Sequence, residues 1–172
     1  MPVPQTTDAA RQFEQYRHDV YAWASRLLGR HHDALDVAQD VFLRWVSQSR
    51  DAAPHHPRSW LRRVTVNRAI DLLRTRRSAS GLPADLAEAD VRRHRSLAEA
   101  EELRSAIGEA MSQLSEMQRC VLTAKVFDGL TFAKIAEEYG LAVPTAKTHY
   151  LRALRAVRDR LQPEWRPEGA ES

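Results

Sequence analysis

The chain is poor in cysteine: Cys120 stands alone among 172 residues, which rules out an intramolecular disulfide and the cysteine-based zinc sites of usual spacing. It also has no apolar run near the ~20 residues that a transmembrane helix needs, so no membrane insertion is expected. The opening MPVPQTTDAARQ lacks the basic and apolar regions of a secretion signal, and the expectation is a cytoplasmic chain. Period-two alternation never persists over the length of a strand, which leaves an all-α fold. Nucleophile-elbow, phosphate-loop and HExxH patterns are missing, and the pairs His31-His32 and His55-His56 lack further ligands at metal spacing. Neither enzymatic activity, a metal site nor a cofactor is therefore expected. Net charge is only +3, so any basic character must be local.

What is present is a series of amphipathic helical patterns. Phe13, Tyr16, Val20, Trp23, Ala24 and Leu27 recur at helical spacing and predict one helix from Asp8 to Leu28, stopped by Gly29. Asp33 is the expected N-cap of a second helix, with an apolar stripe of Leu35, Ala38, Phe42, Trp45 and Val46 and an acidic, amide-bearing opposite face. The stretch SRDAAPHHP cannot continue a helix and predicts a loop. A third helix follows from Arg58 to Arg77, with Trp60, Leu61, Val64, Asn67, Ile70 and Leu73 on its core side. Residues 78–96, with Gly81, Pro83 and many small side chains, have the composition of a flexible linker. Helical patterning resumes near Ser96. Ser115 and Gln118 then have the spacing of a capping box, and Thr131 is the expected cap of the next helix.

Within residues 97–162, the run GLTFAKIAEEYGLAVPTAKTHYLRALRAV has the layout of a helix-turn-helix. Ile135 and the small Ala136 face inward, Gly140 supplies the turn, Leu141 plugs the corner, and Pro144 suits the start of the second helix. Val143, Ala146, Tyr150, Ala153, Leu154, Val157 and Leu161 are spaced to bury one side of it. At about 100° per residue the other side carries Thr145, Lys147, Thr148, Leu151, Arg152, Arg155 and Arg158, a face suited to DNA. Lys147, Thr148 and Arg152 are placed for base edges, Leu151 for a thymine methyl, and Arg155 and Arg158 for phosphates. Upstream, the third helix holds Arg58, Arg62, Arg63, Arg68, Arg74, Arg76 and Arg77 against the single acidic Asp71, a density that points to a polyanion.

The segments DALDVAQDVFLRWV, SWLRRVTVNRAIDLLRTRR and LSEMQRCVLTAKVFDGLTFAKIAEEYGLAVPTAKTHYLRALRAVRDRL resemble, in order, the regions of bacterial extracytoplasmic-function (ECF) sigma factors of the sigma-70 family. The resemblance implies two small helical domains joined by a flexible linker. Residues 8–77 would be sigma region 2, a three-helix bundle for core-polymerase binding, minus-ten recognition and melting. Residues 78–96 would be the linker, 97–162 the helix-turn-helix of region 4 that reads the minus-thirty-five element, and 163–172 a tail in which Trp165 could anchor on the last helix.

Carried over by position, the resemblance implies docking of Asp36, Gln39 and Asp40, assisted by Phe42 and Arg44, on the clamp helices of the polymerase β′ subunit. It implies minus-ten contacts from the loop and arginines of the third helix, and minus-thirty-five contacts from Lys147, Thr148, Leu151 and Arg152. Ala146 departs from the family's larger aliphatic residue. The implied partners are the RNA polymerase core, including its β flap, promoter DNA and an anti-sigma factor. The implied location is the nucleoid when in holoenzyme, or the membrane when held by an anti-sigma partner. A dimeric helix-turn-helix regulator acting without polymerase docking is the alternative, one that would need a dimer interface or a receiver domain.

Overall fold

The computed structural model describes residues 6–51, 54–79 and 88–161, and among them are eight α-helices and no strand. The segment expected as one helix from Asp8 is two: α1 (Thr6–Glu14) and α2 (Arg17–Leu28). The backbone bends at Tyr16 (φ −110°, ψ −4°), whose N–H donates to the Phe13 carbonyl at 2.8 Å in a tight four-residue turn. Tertiary contacts explain the bend. They fold α1 across α3 (His31–Asp51), where the Phe13 ring meets Phe42 edge-on at 5.1 Å and Trp45 Nε1 donates to the buried Ala9 carbonyl at 2.9 Å. Gly29 ends α2 as expected, in the left-handed region at φ 68°.

Helix α3 departs from its expected cap and stripe. It begins two residues before Asp33, which lies in the first turn and pairs with Arg76. Its buried seam is Ala34, Val37, Val41 and Trp45, one position from the expected stripe, and Leu35 is left 46% exposed. The smaller Ala34 and Val37 face the neighbouring helices, which packs α3 closely on α2 and α4 (Pro57–Ala79). Pro57 opens α4, where a missing N–H costs nothing. Leu61, Val66, Ile70 and Leu73 are buried along it, and Trp60 packs edge-on against Trp45 at 5.7 Å, so its placement is that of a core tryptophan.

Residues 80–87 and 162–172 lie outside the described residues, and with them the middle of the expected linker, the tail and Trp165; residues 88–96, expected as flexible linker, are instead helical. Helix α5 (Glu88–Ser112) begins ahead of Ser96, where the apolar periodicity resumes. Helix α6 (Glu116–Asp128) has the full capping box: Gln118 N–H donates to Ser115 Oγ at 3.3 Å, and Ser115 N–H donates to Gln118 Oε1 at 2.9 Å. Helices α7 (Phe132–Tyr139) and α8 (Val143–Leu161) complete the chain.

Both helical units are present, and they are packed together. A small core of Val121, Ala124, Ile135, Ala136 and Ala146 belongs to the C-terminal unit. The larger core begins in α1–α4 and continues into Met111, Leu114, Leu122 and Ala153. At this junction Gly108 of α5 lies so close to Leu73 of α4 that a Cβ there would stand 2.9 Å from the leucine Cβ.

Candidate nucleic-acid interface

Short-range chemistry builds the helix-turn-helix. The Thr131 hydroxyl accepts the Lys134 N–H at 3.2 Å and starts α7. Gly140, at φ 63°, ends it, and the following Leu141 N–H returns to the Ala136 carbonyl at 2.8 Å. Ala136 and Ala146 are both buried where α7 and α8 approach, and Phe132 closes on Tyr150 with ring centroids 5.5 Å apart. With α8 held on that side, Thr145, Lys147, Thr148, Leu151, Arg152, Arg155 and Arg158 are all exposed, Leu151 at 62%. The Thr148 hydroxyl donates back to the Pro144 carbonyl at 3.0 Å, which leaves its lone pairs facing out as an acceptor. The face is continuous, cationic and set on a rigid helix.

The arginines of α4 are arranged differently from the exposed array that their density predicts. Arg62 has no exposed side-chain surface. Its Nε donates to Asp128 Oδ2 at 2.7 Å, and its Nη1 to Tyr139 Oη at 2.7 Å and Glu138 Oε2 at 3.2 Å. The guanidinium also lies 5.3 Å from the Trp23 ring centroid. Arg62 therefore faces protein in this form, buried where an exposed place was expected. Arg58 donates to Asp19 at 2.8 Å and also reaches Asp128 at 3.5 Å, while Arg63 pairs with Glu116 at 3.4 Å. Arg68 bonds to Asp40 at 2.7 Å within the N-terminal unit, and Arg76 pairs with Asp33. Arg74 is exposed on the far turns of α4, and the Arg77 side chain lies outside the described residues.

Burial alone would lower the Arg62 pKa, but Tyr139, Asp128 and Glu138 outweigh it and raise it above the ordinary arginine value. Burial pushes the Tyr139 hydroxyl well up, so at neutral pH it meets Arg62 as a neutral acceptor. The hydrogen bond to Asp19 similarly raises Arg58. Burial, and next the Glu116 charge, push the Cys120 thiol up to about 11.

On α3, Asp36, Gln39 and Arg44 are exposed, Asp40 is half-buried against Arg68, and Phe42 is half-buried against Phe13. Periodicity missed the apolar members of this face. Leu35 and Leu43, 46% and 57% exposed, stand beside Asp36 and Gln39 at helical spacing, so the surface is acidic and apolar together. Sequence reasoning also missed Asp128, Glu138 and Tyr139, whose roles depend on contacts 66 to 77 residues away. Among the described residues no helix is long and apolar enough to cross a membrane, and no three His, Cys, Asp or Glu side chains are gathered to hold a metal ion.

Comparison with known proteins matches residues 12–79 to Sigma-70 region 2 and residues 104–157 to Sigma-70, region 4. The chain is 30% identical over 160 residues to the ECF RNA polymerase sigma factor SigL of Mycobacterium tuberculosis, covering 87% of this chain and 86% of that protein. It is 28% identical over 159 residues to the ECF RNA polymerase sigma factor SigW of Bacillus subtilis, covering 86% of this chain and 85% of SigW. Among solved structures it aligns with the sigma factor RpoE bound to the anti-sigma factor NepR from Bartonella quintana, with a TM-score of 0.47 and 19% identity, over 92% of this chain and 99% of that one.

Proposed function

The chain belongs to the ECF sigma factors of the sigma-70 family, initiation factors that bind core RNA polymerase and promoter DNA, and from this we propose a division of labour among its helices. In this reading the outer face of α3 docks on the polymerase β′ clamp helices. Asp36 and Gln39 orient the encounter, and Leu35 and Leu43 contribute the apolar contact that burial makes favourable. Asp40, Phe42 and Arg44 border this contact.

Helix α8 reads the minus-thirty-five element. Lys147, Thr148, Leu151 and Arg152 face base edges, and Thr145, Arg155 and Arg158 hold the flanking phosphates. The loop before α4, with Arg63, Arg68, Arg74 and Arg77, faces the minus-ten strand once polymerase is bound. Unstacking there must be offset by contacts to the displaced strand. The chain supplies no catalysis of its own: nucleotide addition belongs to the core enzyme.

The carrying observation is the exposed row Lys147, Thr148, Leu151 and Arg152 on the second helix of the helix-turn-helix, with Ala146 and Ala153 buried behind it. The protein acts in the cytoplasm, at the nucleoid when in holoenzyme. An anti-sigma protein, soluble or membrane-held, would compete for the α3 face, because one patch cannot serve two partners at once.

Gel filtration with purified core polymerase tests the reading. Co-elution with core, together with weak duplex binding by the free chain, is the expected result. Tight operator binding by a free dimer would instead identify a regulator that needs no polymerase docking.

A further inference from the structure

We infer that Arg62 is a latch that keeps the nucleic-acid face of α4 shut against the C-terminal unit, and that this closed form is the resting state of the free protein. The inference rests on α4 being the minus-ten helix. Asp128 and Glu138 present to Arg62 the oxygens that a phosphate would present, at 2.7 and 3.2 Å, with Tyr139 Oη as a third acceptor at 2.7 Å. All three acceptors come from the C-terminal unit, whereas Arg62 belongs to the N-terminal one.

Asp128 is itself fixed by Trp23 Nε1, which donates to its other oxygen at 2.9 Å, and its side chain is only 6% exposed. Beside the latch, a cleft of about 820 Å³ sets His56, Trp60 and Arg63 of the reading loop and helix opposite Glu137 and Tyr139. A strand entering that cleft would meet carboxylates where it needs cations. The loop-proximal end of the reader, at Arg58, Arg62 and Arg63, is thus met by acidic side chains of the C-terminal unit.

The chemistry suits a switch better than a permanent weld. Among the described residues, Arg62 Nη2 has no hydrogen-bond partner although it is buried, so the closed form leaves a charged donor unsatisfied. A buried ion pair of this kind defines one register between two surfaces while adding little net stability. Phosphates offered to α4 in the holoenzyme would replace Asp128 and Glu138 one for one.

The test uses the full chain with spin labels at Leu43→Cys and Asp159→Cys in a Cys120→Ser background. Pulsed dipolar spectroscopy should give one narrow distance population. Adding Asp128→Asn with Glu138→Gln should broaden it while circular dichroism keeps the helix content. If the closed form holds ~90% or more of the chain, the same pair should raise affinity for a fluorescein-labelled single-stranded oligonucleotide about tenfold. An unchanged distance distribution, or a broadened one without the gain in affinity, would overturn the inference.

A second pair does not touch the latch. Asn67→Cys and Glu116→Cys, at side chains that meet at 3.3 Å, can be joined by a short bismaleimide to hold the units closed. The cross-linked chain should fail to initiate with core polymerase, where the unlinked one initiates. Full transcription by the cross-linked chain sinks the proposal. The distance measurement needs no polymerase, so it succeeds or fails independently of the initiation reading.

Discussion

Replacing Gly108 with Ala distinguishes a chain whose units are packed together from one whose units drift apart. In an isolated helix the change is favourable: Ala is better than Gly by ~1 kcal/mol in a helix interior. In this structure, however, the new Cβ would stand 2.9 Å from both Cβ and Cδ1 of Leu73 on α4, closer than carbon atoms tolerate. The Leu73 Cβ is tied to a helix backbone, so α5 must move away from α4. Overpacking of this kind costs ~1–3 kcal/mol, which leaves a net loss of about 1 kcal/mol after the propensity gain. For a chain of this size that corresponds to a melting temperature lower by about 2–4 °C. Thermal denaturation followed by circular dichroism reads the sign directly. A variant that melts higher than the parent would mean that α4 and α5 do not touch in solution, and the shared core would have to be abandoned.

Three further outcomes follow from the exposed faces and the buried thiol. Leu43→Asp puts a charge into the apolar part of the α3 face and should weaken core-polymerase binding by about tenfold or more without changing the melting temperature, as fluorescence anisotropy with labelled protein would measure; unaltered affinity removes Leu43 from the interface. Arg152→Ala should cost ~1–3 kcal/mol, about 5- to 150-fold, on the preferred upstream element and relax selectivity there, whereas Arg155→Ala should weaken all sequences alike and lower the salt slope by about 1; equal losses on every sequence for Arg152→Ala would make it a phosphate contact only. For Cys120 the folded pKa of about 11 lies above the ordinary 9.0, so its contribution to stability is intact below pH 9.0 and is lost as pH rises towards 11. Iodoacetamide at pH 8 should accordingly modify the native chain at least ~100-fold more slowly than the denatured one, and equal rates would show that the thiol is not buried.

How much of this was legible in the sequence depended on the range of the interaction concerned. The Ser115–Gln118 capping box, the Thr131 cap, the Gly140 turn and the exposed row of α8 involve residues within one or two helical turns, and each stands where its spacing predicts. The break at Tyr16 was not legible, because it is imposed by Trp45 and Phe42 reaching α1 from a distant helix. Leu35 was misplaced for a related reason: several stripes on α3 are apolar, and only its neighbours decide that Ala34 and Val37 face inward. Arg62 is the extreme case. Arginine density suggested an exposed polyanion site, and nothing local indicates that Asp128, Glu138 and Tyr139 would close over one member of the row.

Whether this chain gives polymerase its promoter choice is measured by mapping RNA 5′ ends made in vitro by purified core polymerase on genomic DNA, with and without the protein. With the protein present, discrete new starts should arise that share paired upstream elements and fade with Arg152→Ala. Identical starts in both reactions would contradict that role.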